Sequence, residues 1–171
     1  MKFLGTGSAL PKKVVSNDDL AQVMDTSDEW IRSRTGIGMR HIAVEETTTS
    51  MAVEAAEKAL ADAKISGCEI DLIIAGTISP DYIFPSLACE VQAAIGAKSA
   101  TAFDLSAGCS GFLFALATAE AYFRTGRYKH ALVIGAETLS KMMNWADRST
   151  CVLFGDGAGA AVVSAEGSQL L

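Results

Sequence analysis

Ala100-Thr101-Ala102-Phe103-Asp104-Leu105-Ser106-Ala107-Gly108-Cys109-Ser110-Gly111-Phe112-Leu113-Phe114-Ala115-Leu116-Ala117-Thr118-Ala119-Glu120 joins two kinds of element across one short polar turn. Residues 100–105 predict a strand, and the run from Cys109 to about Thr125 predicts a helix. From Gly111 to Ala119 that helix is apolar around its whole circumference, so burial is expected on every side rather than a place between a sheet and water. A further layer of protein is implied. The turn itself presents Cys109 at the end of a strand and the start of a helix, where unpaired N–H groups and the helix dipole favour a thiolate. Two readings fit it: a nucleophile held at the carboxyl end of a strand, or a small buried thiol.

Working outward, the same alternation recurs. Asp71-Leu72-Ile73-Ile74-Ala75-Gly76 predicts a buried strand and Ser86–Ile95 a helix entered from Pro85. Ala131–Gly135 predicts a strand, with two more flanking Gly155-Asp156-Gly157-Ala158-Gly159. Toward the N-terminus, Leu4–Leu10 predicts a strand, Asn17 opens a short helix through Met24, and Thr26–Thr35 forms another that Gly36 stops. Ala52, Ala55, Ala56, Ala59, Leu60 and Ala63 recur at helical spacing, which marks a helix packed closely on a sheet. Such alternation predicts a mostly parallel sheet in an α/β fold. The stretch Ala165–Leu171 follows a strand and ends the sequence, which leaves a missing second half open.

Composition bounds the function. The chain has 171 residues, half of them hydrophobic, with 14 Lys+Arg against 20 Asp+Glu and a net charge of −6. No basic block is available to neutralise phosphates, so nucleic acid is not expected as a partner. No apolar run approaches the roughly 18 residues of a membrane span, and a cytosolic protein without membrane partners is expected. Cys68, Cys89, Cys109 and Cys151 lack the spacing of a zinc site or disulfide framework and should be free thiols. Neither a metal nor a cofactor is expected. Gly5-Thr6-Gly7 lacks the third glycine of a dinucleotide fingerprint, and the Gly155–Ala160 run has no helix or lysine after it for a phosphate loop. Trp30 with Arg34, Arg148, Arg32 and Arg40 suits either a gripped nucleotide base or a solvated face. His41 and His130 read as structural.

Taken together, Thr26-Ser27-Asp28-Glu29-Trp30-Ile31, Arg34-Thr35-Gly36-Ile37, Arg40-His41, Phe84-Pro85-Ser86, Ala107-Gly108-Cys109-Ser110-Gly111-Phe112, Asp147-Arg148-Ser149-Thr150 and Phe154-Gly155-Asp156-Gly157-Ala158-Gly159-Ala160 resemble, in order along the chain, β-ketoacyl-acyl-carrier-protein synthase III. That family initiates bacterial fatty-acid synthesis. The resemblance implies an α/β thiolase-like fold, in which two similar βαβαβαββ halves stack into five αβαβα layers around the nucleophile helix. Residues 1–171 would be the N-terminal half, with the C-terminal half absent from this chain.

The resemblance also implies an acyltransferase. Cys109 would take an acyl group from acetyl-CoA or a similar primer, and a decarboxylative condensation with malonyl-acyl-carrier protein would then yield 3-oxoacyl-carrier protein and carbon dioxide. Trp30 and Arg148 would sandwich the CoA adenine, with Thr26 nearby and Arg34 toward the phosphates. Phe84 would reach across a homodimer interface to the neighbouring active site. Arg32, Arg34 and Lys141 would help dock the acidic carrier protein. The family's catalytic histidine and asparagine have no match here. Competing readings are a same-fold condensing enzyme of secondary metabolism with another acyl-CoA, and a non-catalytic half-subunit. A redox thiol would want a resolving cysteine, yet the nearest to Cys109 is Cys89, 20 positions away.

Overall fold

The computed structural model describes residues 1–167, so the end of the stretch Ala165–Leu171 lies outside the described residues. In chain order the elements are β1 (Lys2–Ala9), β2 (Lys13–Ser16), α1 (Asn17–Ala21), α2 (Asp28–Thr35), β3 (Met39–Ile42), α3 (Thr48–Ala63), β4 (Leu72–Gly76), α4 (Leu87–Ala94), β5 (Thr101–Leu105), α5 (Gly111–Phe123), β6 (His130–Thr138), α6 (Arg148–Cys151) and β7 (Asp156–Ser164). Stripped of the β2–β3 insertion and of α6, the order is the βαβαβαββ unit that the resemblance implies.

The main sheet runs β1-β7-β6-β4-β5. Strand β4 pairs parallel with β5 and β6, whereas β7 pairs antiparallel with both β6 and β1. The expected mostly parallel sheet is therefore mixed. Its strands β1, β4, β5 and β6 are linked in turn by the crossover helices α3, α4 and α5. The chain between β6 and β7 instead turns back at the same end of the sheet, so β7 runs against β6 with Gly135 opposite Gly159. The expected strand before Gly155 does not exist, because α6 occupies that segment, and of the alternating glycines Gly157 and Gly159 lie within β7 itself. Glycine every second residue is the period of a strand, which keeps one face of β7 small.

Helices α3 and α4 cover one face. The alanine side of α3 and Leu87, Ala88 and Val91 of α4 bury against Ile73, Ala75, Leu132, Ile134, Ala158, Ala160 and Val162. Thr47 caps α3, accepting the Ser50 N–H at 3.0 Å while Ser50 Oγ accepts the Thr47 N–H at 2.9 Å. The Asp81 carboxylate, from the loop after β4, accepts the Thr48 and Thr49 N–H groups at 3.2 and 2.7 Å. Glycines 5 and 7 of β1 lie directly under α3, beside the carbonyls of Ala59 and Ala55, so that pair serves packing.

Helix α5 covers the other face, burying Ala115, Leu116, Ala119 and Phe123 against Leu72, Ile74, Ala131, Val133, Ala161 and Val163. It is not buried on every side within the described residues. Leu113 is 67% and Phe114 56% exposed on its outer surface. A smaller cluster of Leu20, Ile31, Cys151 and Val152, with Val15, Met24, Trp30, Met143 and Trp145 packed around it, joins the insertion to the segment before β7.

Candidate active site

Cys109 sits in a single helical turn, Gly108–Ser110, that links the carboxyl end of β5 to α5. The helix starts two residues later than the sequence suggests. Gly108 has φ +52°, a left-handed conformation in which an L side chain is strained. Gly76, the last residue of β4, lies against Gly111, the first of α5, and a Cβ on Gly76 would stand 2.7 Å from the Gly111 carbonyl carbon. This backbone contact draws the helix start onto the sheet and fixes where Cys109 emerges. No side chain caps α5 at Ser110, so its N-terminal N–H groups are not taken up by a cap.

Cys109 is exposed, in contrast to Cys151, whose burial, together with the nearby Asp147 charge, pushes its thiol up. It lines a pocket of about 260 Å³ with Ile78, Gly108, Glu137, Leu139, Met142, Met143 and Phe154. Glu137 is the charged group in this wall. Its carboxylate accepts the Ile78 N–H at 2.9 Å and the Thr77 hydroxyl at 3.3 Å, and it also accepts the Ser79 hydroxyl. Ser79 Oγ in turn accepts the Thr138 N–H at 2.8 Å. The loop leaving β4 is thereby tied to the end of β6 beside the thiol.

A second constellation lies in the insertion. Trp30, on α2, has the Arg34 guanidinium carbon 4.5 Å and the Arg148 guanidinium carbon 5.0 Å from its ring centroid. Arg148 comes from α6, and its guanidinium also donates to the Asp25 carbonyl and lies 3.5 Å from the Asp25 carboxylate. Ser27, rather than Thr26, caps α2, accepting the Trp30 N–H at 3.1 Å. That leaves the Thr26 hydroxyl buried with no hydrogen-bond partner, an uncommon state for an interior polar atom.

The remaining expected residues fall elsewhere. Phe84, 87% exposed beside Ile83 at 97%, projects from the loop between β4 and α4. Arg32 is held by Asp28 at 2.8 Å and Lys141 lies 3.9 Å from Asp81, so the three expected docking cations are not three free charges. His41 Nδ1 lies 2.6 Å from the Pro11 carbonyl and His130 Nδ1 3.2 Å from that of Glu69, as fits structural histidines. Among the described residues no cluster of His, Cys, Asp and Glu could hold a metal ion, and no helix is long and apolar enough to cross a membrane.

The family model for 3-oxoacyl-[acyl-carrier-protein] synthase III matches residues 103–171, from β5 through the Cys109 turn onward. A β-ketoacyl-[acyl-carrier-protein] synthase III of Streptococcus suis is 62% identical over 156 residues, covering 91% of this chain and 48% of the relative. The crystal structure of a 3-oxoacyl-[acyl-carrier-protein] synthase III from Aquifex aeolicus superposes with a TM-score of 0.94 at 57% identity, covering 95% of this chain and 53% of that one. Over the length they share, the chain is similar to members of the β-ketoacyl-acyl-carrier-protein synthase III family. It spans about half the length of the curated relatives it matches. The priming β-ketosynthase of the R1128 polyketide pathway superposes at a TM-score of 0.92 and 41% identity, over 95% of this chain and 49% of that one. The fold is thus the thiolase-like fold of the synthase III structures.

Two features of this chain escape sequence reasoning. Glu137 follows Ala131–Ala136 as an ordinary polar end to an apolar strand, and nothing in its neighbours announces that it faces the Cys109 turn. The burial of Arg40, 5% exposed, is equally silent, because arginine is ordinarily a surface residue.

Proposed function

We propose that this chain is the nucleophile-bearing part of a synthase III acyltransferase, in which Cys109 accepts the primer acyl group from an acyl-CoA. The observation that carries this reading is the placement of Cys109: an exposed thiol on a glycine turn at the start of α5, opening into an apolar pocket. The Cys109 sulfur attacks the thioester carbonyl, the carbon–sulfur bond to CoA breaks, and CoA leaves as its thiol. The N–H of Cys109 serves as a donor to the tetrahedral oxyanion. Malonyl-carrier protein then loses carbon dioxide. The electron pair of the broken carbon–carbon bond forms the new bond to the acyl carbon, the bond from that carbon to the Cys109 sulfur breaks, and the departing thiolate takes a proton from solvent. No cofactor enters this scheme, since CoA is part of the substrate.

In this reading Trp30 and Arg148 hold the adenine, with Arg34 toward the phosphates and the Thr26 hydroxyl as a hydrogen-bonding group for the bound nucleotide; the contacts of both arginines with the Trp30 ring and the unpartnered Thr26 hydroxyl support it. A purine between them needs its partners about 7 Å apart, twice a contact of about 3.5 Å. At 5.0 Å the pair is closed, so entry requires Arg148 to swing away from Asp25. The two side chains of that ion pair are 44% and 103% exposed, so releasing it costs little.

The relatives' extra length and the exposed outer side of α5 support residues 1–171 as the N-terminal half of a two-half molecule. In that arrangement the other half covers α5 and supplies the histidine and asparagine that stabilise the malonyl thioester enolate. Phe84, projecting into solvent, is assigned to a homodimer interface. Curated synthase III relatives at 55% and 62% identity, against 41% for the polyketide priming enzyme, support the fatty-acid reading. Full-length protein supplied with acetyl-CoA and malonyl-carrier protein should release carbon dioxide only when both are present, and the Cys109→Ala variant should form no 3-oxoacyl product. Product formation by that variant would overturn the reading.

A further inference from the structure

We propose that Arg40 is a positioning residue that sets the spacing of the Trp30–Arg148 clamp, an inference that rests on the assignment of that pair to the nucleotide end of acyl-CoA. The two clamp members belong to α2 and α6, separated by more than a hundred residues, and the apolar cluster between these elements gives cohesion without direction. Arg40, on β3, supplies direction. One of its terminal nitrogens donates both to Asn17 Oδ1 at 2.7 Å and to the carbonyl of Val152, the residue that ends α6, at 3.2 Å. Its other terminal nitrogen donates to the Val15 carbonyl at 3.4 Å.

Asn17 carries the link to α2. Its amide nitrogen donates to Asp28 Oδ1 at 2.8 Å and to the Ile37 carbonyl at 2.7 Å, on either side of the helix that bears Trp30. The chain of contacts therefore runs from α6, through Arg40 and Asn17, to the first residue of α2. Arg40 is expensive to hold there. It is buried against neutral acceptors without a carboxylate, its Nε is unpartnered, and burial lowers its pKa. A guanidinium is planar and reaches several acceptors in fixed directions, which a lysine ammonium on a flexible stem cannot reproduce. That geometry suits a spacer between two helices better than it suits a source of cohesion.

The test compares two substrates in the full-length protein: acetyl-CoA, and acetyl-pantetheine, which lacks the nucleotide. Loss of overall fold or of Cys109 chemistry lowers kcat/KM for both alike. A misplaced clamp lowers the ratio of the two. Arg40→Lys keeps the charge and should lower that ratio about tenfold, the loss expected when one stacking partner is out of place. Asn17→Ala, which leaves the arginine in place and cuts the arm to α2, should lower it in the same direction and keeps the test available if the Arg40 variant does not fold. Trp30→Ala is the reference. If it lowers the ratio while Arg40→Lys or Asn17→Ala leaves it at the wild-type value, the positioning role is overturned. If Trp30→Ala itself leaves the ratio unchanged, the nucleotide assignment falls and the Arg40 proposal falls with it.

Discussion

At the residue scale, the exposed Cys109 and the closed Trp30–Arg148 pair make different demands on their surroundings. The thiol depends on backbone geometry, and the clamp on side-chain planes. Trp30→Ala should weaken CoA binding roughly tenfold or more, since stacking on an aromatic contributes on the order of 1 to 3 kcal/mol; equilibrium binding of CoA reads this directly. Glu137 holds three groups of the loop after β4. Glu137→Ala removes all three acceptor contacts and should cost about 1 to 3 kcal/mol in denaturant unfolding, with Cys109 acylation slowed as the pocket wall loosens. Unchanged stability in that variant would show that the loop is held by other contacts. The Cys109 turn was legible in sequence because glycines on both sides of a cysteine mark a backbone requirement. Glu137 was not, because a strand-end carboxylate reads the same whether it faces water or a pocket.

At the element scale, the site is set by where β4 and α5 touch. Gly76→Ala would place a Cβ 2.7 Å from backbone of Gly111, which no rotamer change relieves, and should cost roughly 1 to 3 kcal/mol while displacing the Cys109 turn. Thermal unfolding and acylation rate should fall together. Helix α2 carries a pH dependence. A hydrogen bond from Asn17, then one from Arg32, holds the Asp28 carboxyl below the usual carboxylate range. A lowered folded-state pKa stabilises above the ordinary carboxylate value of about 4 and is lost as pH falls through the lower folded value. Acidification should therefore loosen α2, and Asp28→Asn should flatten that limb of a melting-temperature profile. The alternation of strand and helix was legible from periodicity. The antiparallel β2–β3 pair was not, since strands of four residues are too short to show a period. The antiparallel direction of β7 was also hidden, because a run of residues carries no mark of which way its neighbour points.

At the scale of the whole molecule, the sheet has one face fully covered by α3 and α4 and one covered by α5, whose outer side bears Leu113 and Phe114. The all-round apolar helix in the sequence pointed to a further layer, and the described residues leave that side open. Each large side chain forfeits roughly 1.5 to 3 kcal/mol while it stays in water. Residues 1–171 on their own should therefore self-associate in light scattering and should not condense acetyl-CoA with malonyl-carrier protein; turnover by the segment alone would refute the two-half assignment. The proposed acyl-enzyme at Cys109 is central to the acyltransferase reading. The measurement that reaches it most directly is peptide mass mapping of the full-length protein after exposure to isotopically labelled acetyl-CoA. A single acetyl group should appear on the peptide containing Cys109 and vanish in Cys109→Ser, while label on Cys68, Cys89 or Cys151, or label that survives Cys109→Ser, would contradict it.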